Sequence, residues 1–384
     1  MSIYKRKSGH YAVLIDLDPD ARGKRRRKSL GTYRTHKEAE RAERDALSAR
    51  DRGIDIVPSQ VTLDGLFRRY MFDAEARRLS GTTLHGYEQI WKRVAPLASI
   101  PVTKLKPAHL AELFARLGRD GWTGGKGALS TRSIQHTHTL LSTILAWAVR
   151  LEIVGRNVAE AVSPPKGGRK SAQPYQYEDA KRLIAEAAKT RYGPLVIFDF
   201  ATGLRRGELA GLRWNDVNLE RRTATIAGSI AQIPRKSWYK ATKTDKVATI
   251  ALSGEAVAAL RAQRAQQAAE KLQAGAAYVD EGFGFAPQGG GIPSPGALGS
   301  AVRAIAKKAG LTLRGIHAMR HSTGSWLIRA GVDVRTVAAI LRHSSAATTL
   351  GVYSHEIEGA QAEAVQHLDK HIRKSQGNRL ATET

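Results

Sequence analysis

Residues 1 to about 55 contain two patterns: apolar and polar positions alternate in the first part, and a helical period follows from Thr35. The run YAVLIDLD alternates with a period of two, and KSLGTY could begin a further strand after the basic turn RGKRRRK. From Thr35 the segment THKEAERAERDALSARDRG has a capping residue at its start and a glycine after its end. This pattern predicts a small β-sheet followed by one helix.

A second region begins at VPSQ and repeats its apolar positions every three or four residues, the period of amphipathic helices. Pro107 stands where the first turn of a helix tolerates proline. The predicted helices are TLDGLFRRYMFDAEARRL, TTLHGYEQIWKRVAPL, KPAHLAELFARLG and LSTRSIQHTHTLLSTILAWAVRLEI. The segment SPPKGGRKSAQP then has the proline, glycine and basic residues of an extended linker.

The third region mixes helical and strand patterns from about Tyr175 onward. YEDAKRLIAEAAKT predicts a helix, and an apolar helix ending in FATGLRRGELAGLRW follows. The runs TATIAGSI and KVATIAL predict strands on either side of a polar, basic connection. An alanine-rich helix and a glycine–proline loop then lead to the last helices.

These patterns predict a multidomain α+β chain, as its 384 residues also indicate. We expect four segments: a sheet with one helix (1–57), a helical bundle (58–163), a linker (164–174) and a mainly helical domain with a small antiparallel sheet (175–384).

The charge indicates the kind of partner. The chain has 61 Lys and Arg against 35 Asp and Glu, a formal net charge of +26. Such an excess favours nucleic acid, because basic surfaces release condensed counterions when they bind phosphate backbones. A ribosome-like or merely soluble basic protein is the alternative, as is a solvated loop for RGKRRRK. The expected phosphate contacts are Arg22, Lys24, Arg25, Arg26, Arg27, Lys28, Arg169 and Lys170.

The chain has no cysteine, which removes disulfides and cysteine-type zinc sites and fits an intracellular protein. The N-terminus has no apolar signal core, and the most apolar runs fall short of the roughly 20 residues of a membrane span. We therefore expect the cytoplasm and no membrane partner.

Two motifs place basic and titratable side chains three residues apart. In TGLRRGELAGL, the carboxylate of Glu208 could orient the guanidinium of Arg205 on one helical face, with a surface ion pair as the alternative. In IHAMRHSTGSWL, His317 and Arg320 have the same spacing, and a histidine satisfied within its helix is the alternative.

Two further segments contain candidates for chemistry. Lys243 lies at the expected tip between two strands, where a long ammonium can reach into a cleft, although a solvated lysine is the common case. The stretch LRHSSAATTLGVYSHEI contains His343, Tyr353 and His355, and by itself does not rank them.

In this order and over about 150 residues, GLRRGEL, HAMRH, LRHSS and the following tyrosine resemble the signature motifs of the tyrosine recombinase (phage integrase) family. The resemblance implies an arm-binding sheet (1–57), a helical core-binding domain (58–163) and a catalytic domain (175–384). It also implies catalytic positions for Arg205, Lys243, His317, Arg320, His343 and Tyr353, with Glu208 in support.

The chain departs from the family pattern at two places. Arg342 stands where the family usually has glycine, and Tyr353 comes ten residues after His343 where nine is common. A ten-residue variant occurs in integrases ending in A-x-T-L-x-x-Y, which TTLGVY approaches. Neither departure removes a chemical group, and His355 is expected to be structural.

These residue types suit phosphoryl transfer. Tyr353 is the expected nucleophile and His317 the base. Arg205 and Arg320 are expected to bind the phosphate oxygens, with a further hydrogen bond from His343. Lys243 is the expected general acid. The product would be a 3′-phosphotyrosyl link that conserves the ester energy, so neither ATP nor metal is expected. GWTGGKGALS fails the phosphate-loop pattern at its first glycine and at its Ser/Thr position.

Three other functions are possible from the sequence. A metal-dependent nicking enzyme would need more than His136 and His138, which point to different helical faces, or His367 and His371, which have no evident third ligand. A type IB topoisomerase would reseal the same strand, and a non-catalytic regulator would only bind DNA. We expect an integrase on double-stranded core and arm-type sites. It would act as a homotetramer with its tail EGAQAEAVQHLDKHIRKS on a neighbouring subunit and with a possible accessory bending or directionality factor.

Overall fold

The computed structural model describes residues 2–17, 26–51, 61–122, 124–125, 127–167, 173–241, 247–343, 345, 347 and 349–351. The chain divides into two compact units, Met1–Gly168 and Arg169–Thr384. Helices predominate, and the sheets are small and antiparallel. This confirms the predicted α+β class.

The N-terminal sheet has three antiparallel strands in the order β1-β2-β3, and one helix packs against it. The bounds are β1 Ser2–Lys5, β2 Tyr11–Leu17, β3 Arg26–Tyr33 and α1 His36–Asp51. Ala12 and Val13 of the sheet and Ala39 of the helix are fully buried. The predicted sheet-plus-helix pattern is therefore present.

Local hydrogen bonds fix the start of α1. The Thr35 hydroxyl accepts the backbone N–H of Glu38, and the Glu38 carboxylate accepts the N–H of Thr35. This reciprocal capping satisfies donors that a helix start leaves free.

The predicted basic turn needs one correction. Its last three residues, from Arg26, belong to β3, because the pairing with β2 continues until Leu17 lies opposite Arg26.

Four amphipathic helices form the rest of the first unit, close to the predicted segments. They are α2 Leu63–Ala76, α3 Gly81–Trp91, α4 Pro107–Arg119 and α5 Thr131–Arg150. Their apolar faces meet in one core, where the rings of Phe67 and Trp91 stack at 4.1 Å. Thr62, Ser80 and Ser130 cap α2, α3 and α5 with their hydroxyl oxygens.

The second of these helices is shorter than its hydrophobic period predicts. The α-helix ends at Trp91, and Lys92–Leu97 continues as a tighter 3₁₀ turn. Pro96 lies in this turn and has no N–H for the α-helical hydrogen bond. Proline therefore overrides the apolar spacing here.

The described part of the second unit contains seven α-helices and five strands, most of which the sequence patterns predict. The helices are α6 Tyr177–Ala188, α7 Gly193–Thr202, α8 Arg206–Gly211, α9 Gly254–Ala274, α10 Pro295–Lys308, α11 Ile316–Arg329 and α12 Val334–Ile340. The strands are β4 Val217–Asn218, β5 Thr223–Ile226, β6 Gly228–Ile233, β7 Lys236–Ala241 and β8 Ala248–Ala251. Strands β4, β5 and β8 form one antiparallel sheet, and β6 pairs with β7.

Strand β7 was not predicted from the sequence. The polar, basic connection between the two predicted strands was assigned no strand of its own, whereas Lys236–Ala241 pairs with β6 along its whole length. The segment is polar and basic, and its residues do not alternate between buried and exposed positions. Its pairing with β6 is therefore the feature that identifies it as a strand.

Helix α7 lies at the centre of the second core. Leu195, Val196 and Phe198 are fully or almost fully buried, and α7 packs against α6, α9 and α11. Among the helices that the structure describes, none is long and apolar enough to cross a membrane.

Candidate active site

The predicted site begins where α7 ends. The sequence pattern predicts one helix through residues 200–214, but α7 stops at Thr202 and α8 starts anew at Arg206. Gly203 adopts a left-handed φ of +57°, and a side chain there would meet Leu341 and Thr323. The break lets the chain turn so that Arg205 precedes α8 instead of lying on a continuous helical face.

Arg205 and Glu208 interact as predicted, but by a different geometry. The backbone N–H of Arg205 donates to Glu208 Oε2 at 3.0 Å, and its Nη1 donates to Oε1 at 2.8 Å. Glu208 therefore holds both the backbone and the side chain of the residue that caps α8. The Arg205 side chain is 42% exposed, so its guanidinium also faces solvent.

Arg320 lies on α11 and is only 5% exposed. Its Nη1 donates to the carbonyl of Gly203 at 2.6 Å, and its Nη2 donates to the carbonyl of Leu341. One buried guanidinium thus joins the end of α7 to the end of α12. Both acceptors are helix-terminal carbonyls, which carry partial negative charge.

Arg342 completes the end of α12. The backbone N–H of Arg342 donates to the carbonyl of Ala339, and the backbone N–H of His343 donates to the carbonyl of Ala338. These are the paired hydrogen bonds of a Schellman motif. Arg342 occupies the left-handed position of this motif, with φ +53°. Its carbonyl accepts Arg205 Nη2 at 2.5 Å, and its own Nη2 donates to Glu208 Oε2 at 2.6 Å.

The end of α12 therefore gathers residues from three distant segments. Carbonyls of consecutive residues, Leu341 and Arg342, accept Arg320 and Arg205, and His343 follows directly. His343 Nδ1 lies 2.7 Å from Thr349 Oγ1. The structure thus places Arg205, Arg320 and His343 next to one another.

The histidines of this site favour the neutral form. Burial, followed by the charges of nearby groups led by Arg320 and Arg205, lowers the pKa of His343 to about 4. His317 is exposed at the surface, yet partial desolvation and the charges of Arg320, Arg206 and Arg205 lower its pKa as well. Each ring can therefore hold or exchange a proton from the uncharged state near neutral pH.

Asp199 is a buried acid that the sequence analysis did not select. It lies on α7, is fully buried, and neither carboxylate oxygen has a hydrogen-bond partner among the described residues. Burial raises the pKa of Asp199 well above its ordinary value, against the opposing charge of Arg320. A single acid in the apolar run PLVIFDF was the sequence signal for it.

Comparisons with known proteins agree with the predicted resemblance. Residues 175–359 match the phage integrase family, and residues 2–49 match an arm DNA-binding domain. The chain belongs to the phage integrase family, the tyrosine recombinases. It is a site-specific recombinase of this type, which confirms the predicted family and class of enzyme.

Relatives of this recombinase align along most of its length. A tyrosine recombinase XerC-like protein of Caldanaerobacter subterraneus subsp. tengcongensis is 25% identical over 382 residues, covering 94% of this chain and 96% of the relative. The Tn1549 transposon integrase in complex with transposon right end DNA has a TM-score of 0.66 at 19% identity, covering 79% of this chain and 99% of that one. A lambda integrase tetramer bound to a Holliday junction has a TM-score of 0.56 at 18% identity, covering 90% and 94%. At these identities the structural matches establish the fold.

Several predicted site residues lie outside the part of the chain that the structure describes, and three others lie in the N-terminal sheet. Outside the described residues lie the candidate catalytic residues Lys243 and Tyr353, His355, the basic residues Arg22, Lys24, Arg25, Arg169 and Lys170, and the tail from residue 358. Arg26, Arg27 and Lys28 lie in β3, where Arg27 is exposed. Their proposed contacts with DNA remain predictions.

The histidines considered for a metal-dependent nicking enzyme have ordinary structural surroundings where the structure describes them. His138 Nε2 lies 3.0 Å from the carbonyl of Ala159, and its ring packs edge-on against Phe114. His136 is exposed. Within the part of the chain that the structure describes, no three His, Asp or Glu side chains are grouped closely enough to bind a metal ion. His367 and His371 lie outside that part.

Proposed function

We propose that this recombinase cleaves and rejoins DNA through a 3′-phosphotyrosyl link on Tyr353 and so integrates or excises a mobile element. The observation that supports this most directly is the pair of hydrogen bonds from Arg205 and Arg320 to consecutive carbonyls before His343. Three predicted catalytic residues from separate segments thereby share one location. A non-catalytic DNA-binding protein has no need for this convergence.

The two arginines have complementary roles in binding the scissile phosphate. Arg320 is buried and fixed by two carbonyls, so it supplies a positive charge that does not reorganise during the reaction. Arg205 is oriented by Glu208 but stays partly exposed, so its guanidinium can donate to non-bridging oxygens.

His343 serves as an additional hydrogen-bond donor to the phosphate. With a pKa of about 4, its ring is neutral at pH 7. When the Thr349 hydroxyl donates to Nδ1, the proton of the neutral ring resides on Nε2. That N–H is then available to the phosphate.

Proton transfers accompany the exchange of phosphodiester bonds. The Tyr353 oxygen attacks phosphorus as its proton passes to neutral His317, and the bond from phosphorus to the 5′-oxygen breaks. Lys243 protonates that leaving oxygen. The 5′-hydroxyl of another strand then attacks the phosphotyrosyl link, releases Tyr353 and restores a phosphodiester. The ester energy is conserved, so the residues need neither ATP nor a metal for this step.

The remaining segments act on DNA around this centre. Residues 1–57 bind arm-type sites, 58–163 bind the core site, 164–174 connect the two basic modules, and 175–384 carry out catalysis. Four strand cleavages on two duplexes require a homotetramer, in which the tail after Tyr353 packs on a neighbouring subunit. The proposed partners also include an accessory bending or directionality factor, and the reaction takes place in the cytoplasm.

The test is covalent capture. The chain is incubated with sheared genomic DNA from the organism that carries its gene, in the presence of EDTA, and adducts are separated on a denaturing gel. Wild-type protein and a Tyr177→Phe control, which changes an exposed tyrosine, should form adducts, whereas Tyr353→Phe should form none. An adduct in Tyr353→Phe would overturn the mechanism, and so would a wild-type adduct that forms only when EDTA is left out.

A second measurement separates recombination from strand relaxation. Sequencing of the captured DNA provides a duplex with the cleavage site, and two labelled copies are then mixed. We expect strands to be exchanged between the copies. Relaxation of a supercoiled plasmid bearing the site without any exchange would favour a topoisomerase.

A further inference from the structure

Arg342 occupies a backbone conformation that usually belongs to glycine. Its φ of +53° places it at the left-handed position that ends α12, where a side chain is unfavourable. The backbone cost of this conformation is offset when the side chain gains an interaction in return. The Arg342 guanidinium supplies one, because it binds the carboxylate that holds Arg205.

We propose that Arg342 is a positioning residue for DNA cleavage: it fixes Glu208 and, through Glu208 and its own carbonyl, orients Arg205. This inference rests on the proposed function, since it assigns to Arg342 the task of holding a catalytic arginine. It gives the departure from the family's glycine a specific purpose in this chain.

The geometry favours this role over a direct contact with DNA. The Arg342 side chain is 11% exposed and that of Glu208 8%, whereas that of Arg205 is 42% exposed. Arg342 Nη2 lies 2.6 Å from Glu208 Oε2, and Nη1 lies 3.3 Å from the carbonyl of Ile340. The guanidinium is thus turned inward, while Arg205 is the one that faces solvent.

Glu208 stands between the two guanidinium groups. One carboxylate oxygen accepts Arg205 Nη1, and the other accepts Arg342 Nη2 and the backbone N–H of Arg205. Burial alone would raise the pKa of Glu208, but the charges and hydrogen bonds of Arg342 and Arg205 outweigh it and lower that pKa. The carboxylate therefore stays charged and constrained on both sides.

Loss of the Arg342 side chain would remove one of the two donors to Glu208 Oε2, and only Arg205 itself would then hold this carboxylate. Glu208 could then rotate, and the Arg205 guanidinium would lose its fixed direction although the carbonyl of residue 342 remained. Small misplacement of a group that binds the reacting centre lowers the rate of chemistry more than it lowers binding. A side chain that itself bound phosphate would instead affect mainly the affinity for DNA.

The experiment measures binding and chemistry separately on a nicked duplex built from the captured cleavage site. Arg342→Gly should reduce the single-turnover rate of adduct formation about 10- to 100-fold at saturating DNA. Its Kd for DNA should stay within about twofold, and its unfolding temperature should change little, because glycine suits the left-handed backbone. Arg335→Ala, at an exposed position of α12, is the matched control and should react at the wild-type rate.

Two further variants make the test specific. Arg342→Lys keeps the charge and should recover part of the rate, and it carries the test if Arg342→Gly does not fold. Adding Glu208→Gln to Arg342→Gly should cost less than the product of the two single effects, since both act on one contact.

The possible results discriminate clearly. A wild-type rate in Arg342→Gly, or a weaker Kd with an unchanged saturated rate, would overturn the inference and leave the proposed function in place. Absence of any Tyr353 adduct in the wild-type protein would overturn the proposed function and this inference with it.

Discussion

Arg320 and Leu341 are joined by a hydrogen bond from a buried guanidinium to the carbonyl that ends α12. The same guanidinium donates to Gly203 at the end of α7. Because these segments are far apart in sequence, Arg320 contributes to the fold as well as to the charge of the site.

Arg320→Ala should therefore reduce stability in addition to activity. It leaves two buried helix-end carbonyls without this donor, which costs roughly 1–3 kcal/mol each and should lower the unfolding temperature by roughly 4–24 °C. Thermal unfolding followed by circular dichroism measures the shift. Arg261→Ala, at an exposed position of α9, is the control and should shift it by no more than about 2 °C. Equal curves for the two variants would show that the Arg320 bonds contribute little.

Gly203→Ala should destabilise the second unit strongly. An added Cβ would lie 2.7 Å from Leu341 Cδ2, at a φ that side chains rarely adopt. Backbone strain and the clash together should cost roughly 2–4 kcal/mol. Gly254→Ala is the matched control, since nothing lies within 4 Å of its added Cβ and its φ is not left-handed. Comparable unfolding temperatures for the two variants would contradict the prediction.

Asp199→Asn should reveal a buried carboxyl that folds in its protonated form. The raised pKa of Asp199 means that the folded state keeps a proton that the unfolded state releases near pH 4. The contribution of Asp199 to the free energy of unfolding is therefore lost progressively as the pH rises above about 4. The unfolding temperature of wild type should fall relative to the variant between pH 5 and pH 8. Parallel curves across this range would mean that Asp199 is not protonated in the fold.

His343→Gln should reduce the sensitivity of the fold to acid. The folded pKa of about 4 lies below the unfolded value of about 6.5, so the unfolded state binds more protons between these limits. The contribution of His343 is present above pH 6.5 and is lost as the pH falls towards 4. The gap in unfolding temperature between wild type and variant should shrink from pH 7.5 to pH 5. A gap that widened on acidification would give the opposite sign and refute the assignment.

Phe67→Ala should destabilise the helical part of the first unit. Phe67 is 7% exposed and stacks on Trp91, and truncation of a buried phenylalanine costs about 3–5 kcal/mol. Phe72→Ala on the same helix is the control, because Phe72 is 77% exposed and should change stability by less than about 0.5 kcal/mol. Urea unfolding curves compare the two, and a smaller loss for Phe67→Ala than for Phe72→Ala would contradict the packing described for this core.

Much of the local structure could be predicted from the sequence, because it depends on interactions between residues that are close in the chain. The periods of α2, α4 and α5, the cap at Thr35 and the first-turn Pro107 follow from side chains and backbone groups close in the chain. The order of the motifs was sufficient to identify the family. The interaction of Arg205 with Glu208 was also expected, since only two residues separate them.

Other features depended on contacts that no local rule contains. Strand β7 is identified by its pairing with β6, and at the break at Gly203 an added side chain would meet Leu341 and Thr323, which come from distant segments. The assignment of catalytic roles to Lys243 and Tyr353 stays a prediction, as does the division into arm-binding, core-binding and catalytic domains.

The sequence by itself determined most of the helices, the basic charge and the chemical groups that this recombinase has available. Only the tertiary structure decided how they are held. Arg205 reaches the carbonyl of Arg342 across 137 positions of the chain, and Arg342 returns its side chain to Glu208. Spacing along a helix can bring together residues three or four apart, but contacts at this separation form only when helices pack and close the loops between them.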